Sequence, residues 1–406
     1  MRIVFATASI LKGYNTPAPT TIKRWVQKVG YYKLTLPKET ADDWMVIIDA
    51  SIQIGRKKCV LVIGCREADF PMNRALALKD LQILSLRIVS NVNADVITKI
   101  LEEVALTVGR ITAICSDRGS DMFRGIKNFQ IKHPEARHVC DTAHRIANLL
   151  EETLENSKIW KQFRDLVTHS RRRMQNSSVA GYLPPSPRTK ARYMNMDSLI
   201  KWAVDMLLII DNPELFQSEV EELKKYVGWL INFREDIAYW NGIISIGLVA
   251  RDLIRKEGMH INIVNSFEEA ISNIKMGFRE LQFADVLAIF LLDQSRNIKP
   301  GERLVGSTEA LESLFGKLKY MEYEQTAFGF TSLVLAVVAH VGTTDDALIK
   351  EAITKVKLSN IDRWSEKEIG VSIQSQRLYA KKKIVKLKKK VGQESSGASL
   401  EKVMGF

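Results

Sequence analysis

Three strand-length runs rich in β-branched residues crowd the early part of this 406-residue chain: "DWMVIIDASIQIG" (43–55), "KKCVLVIGCR" (57–66) and "LQILSLRIVSN" (81–91). The first two are separated only by a short turn around Gly55, which predicts an antiparallel meander. The pattern then changes. "ADVITKILEEVALTVG" (94–109) is apolar at helical spacing and closes on Gly109, and "ITAIC" (111–115) is again strand-like. A helical segment "DMFRGIKNFQIK", a strand-like "ARHVC" (136–140) and a helix from about Thr142 follow. The order βββαβαβ reads as mixed α/β.

Beyond about residue 155 the strand signals fade. "KIWKQFRDLVTHSRRRMQ", "SLIKWAVDMLLIID", the long stretch from "ELFQSEVEELKK" to "GLVARDLI", and "SFEEAISNIKMGFRELQFADVLAIFLLDQS" repeat apolar residues three and four apart. An all-α block is therefore predicted over 156–300, broken by one loop-like, basic, Pro- and Ser-rich segment, "SSVAGYLPPSPRTKARY". Trp202, Trp229 and Trp240 in this block are expected to anchor its core, although an indole can also stack on an unpaired base. No stretch approaches the roughly 18 uninterrupted apolar residues of a membrane span, and the N-terminus has no signal-peptide pattern. The expected compartment is the cytoplasm. Cys59, Cys65, Cys115 and Cys140 lie in apolar runs without CxxC spacing and read as buried free thiols.

One of the buried runs carries a charge. In "VIIDAS" (46–51) Asp49 interrupts apolar residues, and an unpaired carboxylate there costs several kcal/mol unless it is protonated, paired or bound to a metal. Asp117 follows directly on the strand "ITAICS" and opens the loop "DRGSD". First and fourth strands are neighbours in a βββαβαβ sheet, so two acids 68 positions apart can face each other. Close carboxylates repel unless a divalent cation such as Mg²⁺ lies between them. A third acid is expected from the late helix "STEALESLFGKLKYME" (307–322), where Leu311, Leu314, Phe315 and Leu318 form the apolar stripe. At about 100° per residue Glu312 lies at the edge of that stripe, with Lys319 on the same side, whereas Glu309 points to solvent. Glu312 is the expected ligand.

The chain is basic as a whole, with 59 Lys and Arg against 47 Asp and Glu, a net charge of +12 and a pI of about 9.4. Its cations cluster in "SRRRMQ" (170–175), "SPRTKARY" (186–193) and "KKKIVKLKKK" (381–390). Three such clusters favour a polyanionic partner, nucleic acid first.

These residues also carry a family resemblance. "VIIDAS", "ICSDRGSD" and "ALESLFGKLK" resemble the three carboxylate motifs of the DDE transposases of bacterial insertion sequences, and the helical block resembles the all-α insertion of several such families, including the hAT group. "HVCDTAHRIANLL" is similar to the Asp/Cys-x-x-His motif that follows the second acid, which falls on Asp141 and His144. The six residues between Glu312 and Lys319 resemble the Glu-(6)-Lys element of another bacterial DDE family, in which the lysine contacts DNA. The Tyr and Arg accompanying that element would fall on Val305 and Thr308, so its full signature is absent.

The resemblance implies an α/β fold with an RNase H-like mixed sheet, interrupted by a large all-α insertion before the third catalytic acid. It divides the chain into an N-terminal DNA-binding remnant or linker (1–40), the first part of the RNase H-like domain (41–155), the insertion (156–300), the helix with the third acid (301–345), and a C-terminal helical segment with a basic tail (346–406). The implied activity is Mg²⁺- or Mn²⁺-dependent cleavage and strand transfer of double-stranded DNA. Asp49, Asp117 and Glu312 hold two ions, and Asp141 and His144 lie near the active site. Lys319, Arg171, Arg172, Arg173, Arg188, Lys190 and Arg192 are the implied DNA contacts. The implied partners are the ends and target of a mobile element, in the nucleoid, bound by a homo-oligomer assembled on DNA and without a membrane. The competing expectations are a catalytically inactive or N-terminally truncated, transposase-derived DNA-binding protein and a structure-specific nuclease of the same fold.

Overall fold

The computed structural model describes residues 17–54, 57–72, 74–186, 196–323, 330–370 and 373–394. Its sheet has five strands, β1 (Ala41–Ile54), β2 (Lys57–Arg66), β3 (Gln82–Val89), β4 (Gly109–Ser116) and β5 (Arg137–Cys140), in the order β3-β2-β1-β4-β5. The β1-β2-β3 meander is antiparallel, and β4 and β5 join it in parallel, as the crossovers require.

The helices that frame this sheet or form the block beside it are α1 (Pro19–Thr35), α2 (Ala94–Val108), α3 (Ser120–Lys132), α4 (Thr142–Leu154), α5 (Lys158–Met174), α6 (Met196–Asp211), α7 (Pro213–Val227), α8 (Arg234–Glu257), α9 (Ile263–Ile271), α10 (Phe278–Ser295), α11 (Glu309–Tyr323), α12 (Val334–Val338) and α13 (Asp346–Lys355). They are followed by α14 (Leu358–Glu368) and α15 (Ile373–Glu394).

Strand alternation splits the core in two. Trp44, Val46 and Ile48 of β1 face α2 and α3, burying Ile97, Leu101, Ile126 and Phe129 with them. Met45 and Ile47 face the other way, into a continuous core that runs through α4, the helical block and α11. Helix α2 starts on Asn93, whose side chain accepts from Val96 N, and ends on Gly109 at φ 92, a left-handed position that favours glycine.

The helical block is held by aromatic packing. Trp160 meets Trp240 edge-on at 4.8 Å between centroids, and Phe163 meets Trp229, Phe233 and Trp240. Trp202 donates to Tyr182 O at 2.9 Å and Trp229 to Ser170 Oγ at 2.9 Å, so Trp202, Trp229 and Trp240 all anchor the core together with Trp160. Among the described residues one helical stretch, Glu219–Glu257, is long and apolar enough to cross a membrane, and half of its apolar window is buried inside the protein. A 3₁₀ turn over Gly228–Phe233 interrupts it, and Trp240 plugs the aromatic cluster, which is the packing of a core helix. The four cysteines are buried and free.

Helix α1 is built into the body. The Cβ of any residue larger than glycine at Gly30 would come within 1.9 Å of Leu335 O, so α1 and α12 are in backbone contact. Lys33, buried, donates to Ala339 O, Val341 O and Gly342 O and to Thr344 Oγ1, closing the end of that helix.

The arginines of "SRRRMQ" form the last turn of α5, within the run read as helical: Arg171 donates to Pro184 O, and the Arg173 guanidinium lies 5.2 Å from the Tyr226 ring. One feature differs from the sequence expectation of a basic tail. The lysine-rich run is helical, within α15, where the absence of Gly and Pro before Gly392 lets the helix continue. The Gly55 turn and Arg188, Lys190 and Arg192 lie outside the described residues.

Candidate active site

The β1–β4 register brings two acids together. Ile47 pairs with Cys115, and two positions further along both chains Asp49 stands beside Asp117, just past Ser116 at the end of β4. Asp49 shares the face of Met45 and Ile47, which is the face covered by α11. The Asp49 Oδ1 accepts from Ala50 N at 2.5 Å, next to the irregularity in β1–β2 pairing between Asp49 and Ile52. Asp117 Oδ1 accepts from Gly119 N at 3.1 Å, a local turn that fixes the carboxylate at the start of the loop before α3.

Helix α11 supplies the third acid. Leu311, Leu314, Phe315 and Leu318 are buried against the sheet, and Glu312 lies beside this stripe at the rim of the cleft. Burial pushes the Glu312 carboxyl up to about 7, with the charges of Asp141, Glu309 and Asp49 adding to it. Burial likewise lifts Asp49 to about 7, with Asp117 and Asp141 contributing. Both acids feel Lys319, which opposes the rise and so lies toward the same cleft. Glu312 keeps an exposed outer surface while its carboxyl is desolvated by the protein around it, and the neighbouring carboxylates add to that effect.

Glu309 does not point to solvent. It faces α8, 3.0 Å from Arg255 Nε and 3.8 Å from Arg251 Nε. The helical wheel turns it away from the apolar stripe, and a second helix occupies that side. With two guanidiniums on it, Glu309 is the less suitable ligand, whereas Glu312 has no ion pair among the described residues.

Asp141 is almost fully buried. Its Oδ1 accepts from Ala143 N at 3.0 Å, capping α4, and its Oδ2 accepts from Thr308 Oγ1 at 2.6 Å. Burial raises its carboxyl while these two hydrogen bonds hold it down. Its own amide donates to Ser116 O, and Thr142 N donates to Gly306 O, so the residue ties β4, α4 and the approach to α11 into one joint. His144, half-buried one turn later, lies close enough for its charge to act on Asp141.

Three contributors were not visible in the sequence. Thr308 is one. His138 on β5 is another: its Nε2 lies 2.9 Å from Ser116 Oγ, and burial lowers its pKa to about 4, so the ring is neutral and pins the residue before Asp117. Arg118, just after Asp117, donates to Cys140 Sγ and lies over Phe290 of α10, joining the loop to the helical block. Only the position of these residues next to recognised acids could have drawn attention to them.

Among the described residues no three His, Cys, Asp or Glu side chains are gathered tightly enough to form a ready metal cage. What stands there is a facing Asp pair with a third carboxyl across the cleft, two of them raised to about 7. Hard oxygen donors that repel one another are the donor set that a hard divalent cation relieves, so the residues fit Mg²⁺ or Mn²⁺.

No family model and no curated protein matches this sequence. Among solved structures, the chain is similar to one in the Drosophila P element transposase strand transfer complex, at 13% identity over 83% of this chain and 90% of that chain, with a TM-score of 0.40.

Proposed function

We propose that this chain is a DDE-type DNA transposase with an RNase H-like catalytic layer, cutting the ends of a mobile element and joining them to target DNA. The observation that supports this reading most is the register that sets Asp49 beside Asp117 on the sheet face covered by α11, with the Glu312 carboxyl raised by burial and by the carboxylates near it. A bacterial insertion sequence as the source rests on the resemblance of the three acid motifs.

In this reading Asp49, Asp117 and Glu312 would hold two divalent cations, which would activate an attacking water or 3′-hydroxyl and stabilise the leaving oxygen of an in-line displacement. The chain's own residues do the rest. Asp49 and Glu312 would have to give up their protons to hold such an ion, since each would coordinate only as the carboxylate. Asp141, through Thr308, fixes the start of α11 and with it the reach of Glu312. Lys319, on the cleft side of α11, contacts a phosphate of the bound strand. Hydrolysis and strand transfer then use one site, differing only in which hydroxyl is activated.

The test is nicking of DNA that carries the flanks of the reading frame, with Mg²⁺ and with Mn²⁺. Divalent-dependent nicking by the wild type that is lost in Asp49→Asn, followed by joining of the 3′ ends, supports a transposase. Nicking without joining supports a nuclease, and binding without nicking in either metal leaves a transposase-derived DNA-binding protein.

A further inference from the structure

Helix α15 stands away from the rest of the molecule. Every residue of 376–387 is exposed, including Leu378, Tyr379, Ile384, Val385 and Leu387 at 52–70%. Between Glu368 and Glu394 the chain has no acid, while 377–390 carries eight cations, Arg377, Lys381, Lys382, Lys383, Lys386, Lys388, Lys389 and Lys390. That is two-thirds of the net charge of +12 in a single helix. The carboxylate cleft makes no use of it.

The distribution around the helix decides the partner. At about 100° per residue, Ile384 and Leu387 lie on one side, and Leu378 and Val385 lie more than about 90° away from both. Over 376–387, Arg377 and Lys381 fall on one flank between these two apolar pairs, and Lys382, Lys383 and Lys386 on the other. A helix that lies in a bilayer surface needs one apolar face and one polar face, which α15 does not have. A helix gripped from two sides by phosphates suits cations on both flanks, and the B-DNA major groove, about 12 Å wide, admits such a helix. Self-association is opposed by the eight like charges on each copy.

We propose that α15 is a second duplex-DNA surface, binding along the phosphates of a major groove without base specificity. It depends on the proposed function only in taking DNA as the polyanion, and it does not need the carboxylate site to be active.

The experiment measures binding of the full chain to a mixed-sequence duplex across a salt series, with no divalent cation. The variants are Lys381, Lys382, Lys383 and Lys386 all→Gln, and the same four all→Arg. The Gln variant is expected to lower the slope of log K against log salt by about 0.9 for each phosphate no longer neutralised, up to about 3.6 if all four lysines make contact, with unchanged thermal stability because α15 is exposed. The Arg variant is expected to keep the slope. An unchanged slope in the Gln variant overturns the proposal, and so does loss of the slope in both variants. Co-sedimentation with vesicles containing anionic lipid is the remaining arm: wild-type binding to vesicles that the Gln variant loses, with DNA slopes equal, assigns the helix to a membrane surface and overturns it too. Metal-dependent nicking, measured separately on Asp49→Asn, reports on the carboxylate site, so either reading can fail alone.

Discussion

Thr308 Oγ1 donates to Asp141 Oδ2 at 2.6 Å, a buried hydrogen bond between residues 167 positions apart that closes the loop of the whole helical block. It fixes the first turn of α11, where Glu312 N in turn donates to Thr308 O. The third acid is thereby positioned from the strand side.

Thr308→Val keeps the shape of the side chain and leaves a buried carboxylate oxygen without its donor. The expected cost is about 1–3 kcal/mol of stability. Cleavage should fall further than the loss of folded protein explains, because α11 gains freedom at Glu312. A variant with normal cleavage per folded molecule would show that Asp141 only supports the fold.

Asp49→Asn, Asp117→Asn and Glu312→Gln are each expected to abolish metal-dependent nicking while the chain stays folded. Glu309→Gln should retain it, since that carboxylate is paired with Arg255. Nicking lost in Glu309→Gln and kept in Glu312→Gln would reverse the assignment.

The raised acids set a pH dependence. Asp49 and Glu312 are protonated in the folded state up to about 7 but ionise near 4 when unfolded, so folding holds extra protons between these values. Without divalent cation this contribution is complete below about pH 4 and is lost as pH rises through about 7. Asp49→Asn should therefore gain on wild type by about 1–2 kcal/mol at about pH 8, a figure reduced for the solvent in the open cleft, and show no advantage at about pH 4. Urea unfolding at the two pH values checks it, and added Mg²⁺ should shrink the difference.

Lys33→Met removes the donor to three carbonyls and one hydroxyl that close the end of α12. The orphaned oxygens should lower stability by about 2–4 kcal/mol, read as a shift in denaturant midpoint. Cleavage per folded molecule should be unchanged. No loss of stability would mean α1 is an appendage rather than part of the body.

At the end of α5, Arg171 serves the fold through Pro184 O, whereas Arg172 has no partner among the described residues. Arg172→Ala should leave the melting temperature in place. If this helix end meets DNA, the same variant reduces the salt slope by nearly one, and an equal slope removes it from the DNA path.

The sequence by itself determined the parts that depend on neighbours along the chain. Alternation in "VIIDAS" sets Asp49 on the face of Ile47, and the order of strands makes β1 and β4 neighbours, which is enough to bring Asp49 and Asp117 together. The wheel of α11 likewise separates Glu312 from Glu309, because side-chain direction in a helix follows from 3.6 residues per turn. What fills the space beyond an element is not in that element's own pattern. Arg251 and Arg255 take Glu309 because α8 packs where periodicity leaves only an outward direction. Asp141 becomes a buried joint because the helical block returns the chain to it at Thr308, and Lys33 finds its four oxygens more than 300 positions later. These contacts come from closing loops through a folded body, so only the tertiary structure decided them.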